Sequence, residues 1–161
     1  MPIQKLRPFL DENQVKYIVI THSKAYTSQG IAACAHISGN ELAKTVMLQK
    51  DGELCMAVLP ASKHVNLAAF AKLTNSVEVS LASERDFKDR FPDCEVGAMP
   101  PFGNLYGLRV YVDASLTRDK EIAFNAGTHH ELIRLSYKDF ARLVQPKVAK
   151  FSTALDAALR L

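Results

Sequence analysis

Apolar positions along the chain alternate between helical and strand-like spacing, and the changes of period mark its elements. In PIQKLRPFLDENQ (2–14), Ile3, Leu6, Phe9 and Leu10 share one helical face, which predicts a first helix. VKYIVI (15–20) is β-branched and aromatic and predicts a strand. Thr27 is placed to cap a helix through SQGIAACAH, which Ser38-Gly39-Asn40 stops. LAKTVMLQ and ELCMAVLP flank Asp51-Gly52, and such a pair between apolar runs predicts a hairpin whose second strand ends at Pro60. VNLAAFAKL (65–73) predicts a short helix with Asn66 as its cap, and SVEVSL (76–81) a short strand. Ser83 caps a helix through ERDFKDRF that Pro92 closes. GLRVYVDA, EIAFNAG and HELIRLS predict three more strands, and Ser136 with Asp139 has the pattern of a capping box ahead of YKDFARLV. Beyond Pro146, Phe151, Leu155, Ala158 and Leu159 recur at helical spacing, so residues 147–161 read as an accessory helix or tail beside a main domain of residues 1–146.

Helices and strands interleave, with at least one hairpin, which implies a single α+β domain around a mixed sheet. With 161 residues, 48% of them hydrophobic, the chain can bury a full core. No apolar run approaches the roughly 18 residues of a membrane span, and the N-terminus lacks the apolar stretch and cleavage site of a signal peptide. A cytoplasmic protein with no membrane partner is expected. The net charge of +3 permits a nucleic-acid partner without demanding one. Cys34, Cys55 and Cys94 form no CxxC and argue against a disulfide scaffold or zinc knuckle. His22, His36 and His64 lack ligand spacing, so no metal is expected. GxGxxG, GxxxxGK[ST], GxSxG and HExxH are all missing, and no cofactor is expected.

Three features stand out chemically. Period-two alternation in LAKTVMLQ puts Lys44 on the more apolar face, with Leu42, Val46 and Leu48, opposite Thr45 and Gln49. A buried ammonium is costly, so Lys44 either reaches water, pairs with an acid, or points into a cavity where an anion binds. The adjacent His129 and His130 lead into a strand, so alternation turns one imidazole toward a pocket and the other toward solvent, and the two cannot readily share a metal. In EVGAMPPFGNLYGLRV (95–110), Pro100 and Pro101 stiffen a loop framed by Gly97, Gly103 and Gly107. Proline removes donors and leaves carbonyl acceptors, while glycine admits close approach to the backbone. That loop is either a rigid connector or a device for orienting a water or an amine.

AYTSQGIAACAHISGNELAKTVMLQKDGELCMAVLPASKHVNL, then GAMPPFG, then AGTHHELIRLSYKDF together resemble the YbaK/ProX family of aminoacyl-tRNA deacylases, over about Tyr17 to Val144. The family includes free-standing trans-editing proteins and the editing domain inserted in many bacterial prolyl-tRNA synthetases. The resemblance implies a YbaK-like fold with a mixed, partly barrel-like sheet flanked by helices. It implies that Lys44 contacts the terminal adenosine and its phosphate, and that Gly97 and Pro101 end a GxxxP loop whose glycine carbonyl orients the attacking water or the substrate amine. Thr128 and His129 would line the amino-acid pocket, with Tyr26 and Thr27 as its opposite wall and Thr45 and Pro100 also binding substrate. One departure is Gly30, where some members carry an acid after the SQ-like pair in the first of the family's helices.

The implied activity is hydrolysis of the ester of a tRNA mischarged with a small amino acid. Alanine on proline tRNA is the leading expectation, with serine, threonine and cysteine open. No synthetase domain accompanies the motifs, so action in trans is implied, with tRNA as partner and an aminoacyl-tRNA synthetase as a second one. The alternatives are a non-catalytic module that holds tRNA ends or a synthetase, and a metabolic hydrolase of small aminoacyl esters.

Overall fold

In the computed structural model, which describes residues 5–21 and 41–154, the hairpin at Asp51-Gly52 forms the spine of the largest sheet. β2 (Ala43–Lys50) and β3 (Glu53–Pro60) pair antiparallel from Ala43↔Pro60 to Lys50↔Glu53. Asp51 (φ 49°) and Gly52 (φ 83°) both take the left-handed conformation that a two-residue hairpin turn requires. The Asp51 carboxylate accepts from the Val77 and Glu78 amides, which shortens the strand expected at 76–81 to β5 (Val79–Leu81) on the outer edge of β2.

The chain begins with α1 (Leu6–Glu12) and β1 (Tyr17–Thr21). Pro8 is tolerated in the first turn of α1, where its missing N–H has no helical partner to lose. α2 (Leu67–Leu73) starts where expected, with the Asn66 side chain accepting from the Ala69 amide at 3.0 Å. Ser83 and Asp86 form a reciprocal capping box on α3 (Glu84–Phe87), which tightens into a 3-10 turn at Lys88–Arg90. β6 (Arg109–Asp113), β7 (Glu121–Asn125), β8 (Glu131–Ser136) and α4 (Tyr137–Val144) follow, α4 capped by Ser136 Oγ on the Asp139 amide.

Three further strands had no counterpart in the sequence reading. β4 (Lys63–Val65) pairs with β10 (Ser152–Ala154), and β9 (Lys147–Ala149) runs parallel to β6. Residues 147–154 are therefore strands of the domain, not the accessory helix expected there; residues 155–161 lie outside the described residues. Tertiary contacts override the helical spacing of this segment. Phe151 is 1% exposed and packs edge-on against Phe70, which also meets Tyr111. The buried Asp113 carboxylate accepts from the Phe151 amide (2.9 Å), the Ser152 amide (3.0 Å), and the Ser115 amide and hydroxyl.

Burial alone would raise the Asp113 carboxyl, but the bonds from Ser115, Phe151 and Ser152 outweigh it and hold the group below its ordinary range. A carboxylate lowered in the folded state stabilises fully above its unfolded value of about 3.9, and that stability is lost as pH falls through the lower folded value. Asp113→Ala is expected to cost about 3 kcal/mol at pH 7, because three backbone amides and one hydroxyl lose their acceptor. Its deficit relative to wild type should shrink in the most acidic urea melts, and a constant deficit down to pH 2 would refute this account.

The sheets are β5-β2-β3-β6-β9, β1-β8-β7 and β4-β10. The first two meet through one parallel bridge, Leu42↔Ala123, so the ladder does not continue round and the partly barrel-like sheet expected from the resemblance does not close. The main core lies between them, with Phe102 at its centre, fully buried against Phe9, Phe124 and Phe140. No helix among the described residues is long and apolar enough to cross a membrane.

Candidate active site

The bridge between the two sheets organises the site. Leu42 and Ala123 pack in one small apolar cluster with Ala61 and Leu132, so they face the same side. β2 and β7 run on in the same direction from there, and the pairing ends at once. Two residues further along each strand, on the same face by alternation, stand Lys44 and Asn125. The parallel pairing stops after this one bridge, and these two polar residues stand just past the point where it stops.

Lys44 is half-buried, and burial lowers its ammonium below the ordinary lysine range. Among the described residues no carboxylate forms a salt bridge with it. Among the described residues, then, pairing with an acid, one of the three readings the sequence left open, is not seen. Thr45 is half-buried on the opposite face, beside Ala43 and Met47 of the main core.

From Asn125 the chain turns through residues 126–130, and this turn docks on the Gly97 loop. The Glu95 amide donates to the Gly127 carbonyl (2.7 Å), the Gly127 amide to Ala98 (3.0 Å), and the Ala98 amide back to Glu95 (3.0 Å). The His129 amide donates to Glu95 Oε1 (3.2 Å), and His129 Nε2 bonds the Val96 carbonyl at 2.7 Å. A carbonyl only accepts, so Nε2 carries the proton. His129 is buried and His130 half-buried, but both sit in a turn ahead of the strand, so the strand alternation expected for them does not apply. The Thr128 hydroxyl is buried without a hydrogen-bond partner.

Gly97 adopts φ +84° at the exposed tip of the loop. The carbonyls on either side of it, Val96 and Ala98, are both engaged, and no described residue donates to that of Gly97. Pro100 and Pro101 are buried at the root of the loop, next to Phe102, where they brace it from inside the core. A β-carbon on Gly97 would stand 3.5 Å from His129 Cε1, an ordinary contact, so the cost of a side chain there is backbone strain rather than a clash. Gly97→Ala should therefore lose only about 1–2 kcal/mol of stability, while turnover falls at least tenfold because φ sets the direction of the carbonyl. Thermal melting beside single-turnover rates checks this; a rate loss explained by unfolding alone would contradict it.

The candidate residues thus form two groups, Lys44 with Asn125 just past the bridge between the sheets, and Gly97 with Thr128 and His129 at the turn that follows. Tyr26 and Thr27, the expected opposite wall, lie outside the described residues, as do Gly30, Cys34 and the helix expected around them. Asn125 was missed by sequence reading; the only signal was one polar residue closing the apolar run EIAF. The open groove of about 500 Å³ lined by Gln49, Asp86, Arg90 and Arg109 lies at the far end of the β2–β3 hairpin and contains none of these residues. Cys94 is half-buried beside the Tyr106 hydroxyl, and burial pushes its thiol up to about 11; Cys55 is buried and likewise raised to about 11, so both are poor nucleophiles near neutral pH. No group of three or more potential metal ligands occurs among the described residues.

Residues 22–143 match the aminoacyl-tRNA editing domain family. Over 153 residues the chain is 28% identical to an Escherichia coli protein named multifunctional Ser/Thr-tRNA deacylase ProXp-y, spanning 92% of this chain and 91% of the relative. The fold superposes on a crystal structure of a hypothetical protein with a TM-score of 0.83, at 20% identity, covering 93% of this chain and all of that one. It also superposes on a candidate trans-editing enzyme for prolyl tRNA synthetase with a TM-score of 0.79, at 17% identity, covering 94% of this chain and 96% of the other.

Proposed function

The chain belongs to the aminoacyl-tRNA editing domain family and is an aminoacyl-tRNA deacylase, and from that premise we propose that it acts in trans on tRNA mischarged with a small amino acid. The observation that carries this reading is the Gly97 loop, locked onto His129 with its flanking carbonyls engaged and the Gly97 carbonyl left to accept from a substrate or water. An aminoacyl ester is already activated, so hydrolysis needs a placed water and a held 3′ end more than a strong base.

In this mechanism Lys44 grips the phosphate of the terminal adenosine as a point charge. The Gly97 carbonyl accepts a hydrogen bond from the attacking water, whose oxygen adds to the ester carbon. The ester C–O bond breaks, the tRNA oxygen takes up a proton, and the free amino acid and intact tRNA leave. Pro100, Pro101 and the Glu95–Gly127–Ala98 bonds hold the loop still, so the carbonyl needs no reorganisation as charge develops. Thr128, with Tyr26 and Thr27, completes the amino-acid pocket in this reading, and Thr45, which faces away from Lys44 on β2, stands outside it.

Alanine on proline tRNA was the leading sequence-based expectation. The E. coli relative's name directs attention equally to serine and threonine, which the same reading had left open. One added methylene or hydroxyl in a pocket discriminates by only about 10- to 200-fold, so activity on more than one small amino acid is expected. The test is release of labelled alanine, serine and threonine from a panel of mischarged tRNAs, alongside the same amino acids as simple esters. Release above background from tRNA supports the proposal. Salt-dependent tRNA binding with no release from any member of the panel would refute it in favour of a binding module, and equal activity on simple esters would refute the tRNA substrate.

A further inference from the structure

We propose that Asn125 is a specificity-determining residue of this site, whose buried amide reads a hydroxyl on the aminoacyl group and so favours seryl and threonyl esters over alanyl. The inference rests on the deacylase reading and assigns a selection to one side chain within it. Asn125 is 7% exposed, and its Oδ1 is buried with no hydrogen-bond partner. Buried polar side-chain atoms are nearly always paired, and one left alone calls for an explanation.

Packing does not supply that explanation. By alternation Asn125 shares its face of β7 with Ala123, and its cross-strand partner Leu132 packs in the same apolar cluster, so these two neighbours offer its amide no partner. The residue also stands where β2 and β7 cease to pair, across from Lys44. The chain leaves it through Ala126 and Gly127 to Thr128, whose own hydroxyl is buried and unpaired. Two unsatisfied polar groups thus lie three residues apart, Asn125 where β2 and β7 cease to pair and Thr128 in the turn that follows.

A hydroxyl both donates and accepts, so it pairs with the amide whichever way the amide is turned. A methyl group does neither, and leaves the amide desolvated without compensation. A site of this kind discriminates against the analogue that lacks the polar group, because its own buried atoms are then left unpaired.

The experiment measures single-turnover release from one tRNA charged in turn with serine, threonine and alanine. In Asn125→Ala, seryl and threonyl rates should fall by roughly ten- to a hundredfold while the alanyl rate stays within about threefold. Asn125→Thr keeps a hydroxyl and a strand-forming side chain and should lie between, which preserves the test if the alanine variant folds poorly. A merely structural role would lower all three rates together, and that result overturns the proposal, as does an unchanged seryl-to-alanyl ratio. Wild-type preference for alanine would overturn the role of Asn125 and leave the deacylase reading standing. Wild-type release of none of the three would overturn both.

Discussion

Lys44→Ala is expected to slow ester hydrolysis by about a hundred- to a thousandfold, the usual cost of removing one preorganised electrostatic group from a site, while the protein stays folded. The lysine sits on β2, where the β3 ladder holds it at Lys44↔Leu59, while β5 pairs with β2 only from Leu48 to Lys50. Burial disfavours its charged form, and no acid among the described residues compensates. For stability, then, the ammonium is a cost whenever it is charged in the folded state. The cost is present at neutral pH and disappears above the unfolded lysine value of about 10.4. Lys44→Met, which keeps the stem and drops the charge, should melt at or above the wild-type temperature at pH 7 while matching the alanine variant in rate. Lys44→Arg should recover only part of the activity, since a planar fork does not replace a compact charge. The alkaline limb of the pH–rate profile, corrected for spontaneous ester hydrolysis, should fall below the ordinary lysine range, because the lowered ammonium loses its proton there earlier. A rate loss under threefold, or a melting loss that accounts for it, would remove Lys44 from the machinery.

Gly103→Ala should cost about 3 kcal/mol, near the upper end for overpacking a core. At this chain length that is roughly 6–12 °C in melting temperature. A β-carbon at Gly103 would stand 2.7 Å from Val110 Cγ2, 2.8 Å from the Leu108 carbonyl oxygen and 3.2 Å from Met56 Sδ. The valine methyl can turn aside, but the carbonyl belongs to the backbone, and the Leu108 amide is itself bonded to the Gly103 carbonyl at 2.8 Å. Relief requires the 3-10 turn Gly103–Tyr106 to move, and with it Phe102 and the two prolines behind Gly97. Activity measured well below the melting transition should therefore fall as well. Gly107→Ala is the control: φ is +70° but nothing lies within 4 Å of the new carbon, so only backbone strain of about 1–2 kcal/mol is expected. Equal melting temperatures for the two variants would show that space at Gly103 is not the constraint.

Local chemistry was legible wherever a residue's partner lies a few positions away. Asp51-Gly52 needs only the two runs beside it, Asn66 and Ser136 cap through amides three residues on, and Ser83 finds Asp86 within one turn. Lys44 was legible because a charge on an apolar stripe breaks a period that is visible in eight residues. The binding of β10 to β4 and of the Phe151 amide to Asp113 was not, since each joins segments tens of residues apart and leaves no periodic trace. The same holds for the division into separate sheets, which hangs on where β2 and β7 stop pairing. Asn125 was invisible for a different reason: a single polar residue at a strand end is ordinary until its side-chain oxygen proves to be buried and unpaired. In the loop 95–103, the buried stretch from Ala98 to Gly103 explains why a connector should be so apolar, with only Val96 and Gly97 left at its tip.

The strands after Pro146 also bear on how this protein is made. Phe151 completes the cluster of Phe70 and Tyr111, and β9 covers an edge of β6 that is otherwise bare. While these residues are still inside the ribosome, the emerging chain carries an open parallel edge and two of the three rings of an aromatic cluster without the third. Folding of the larger sheet therefore finishes only after synthesis has passed residue 154, and the interval before it is when the nascent chain is most prone to pair with another copy of itself.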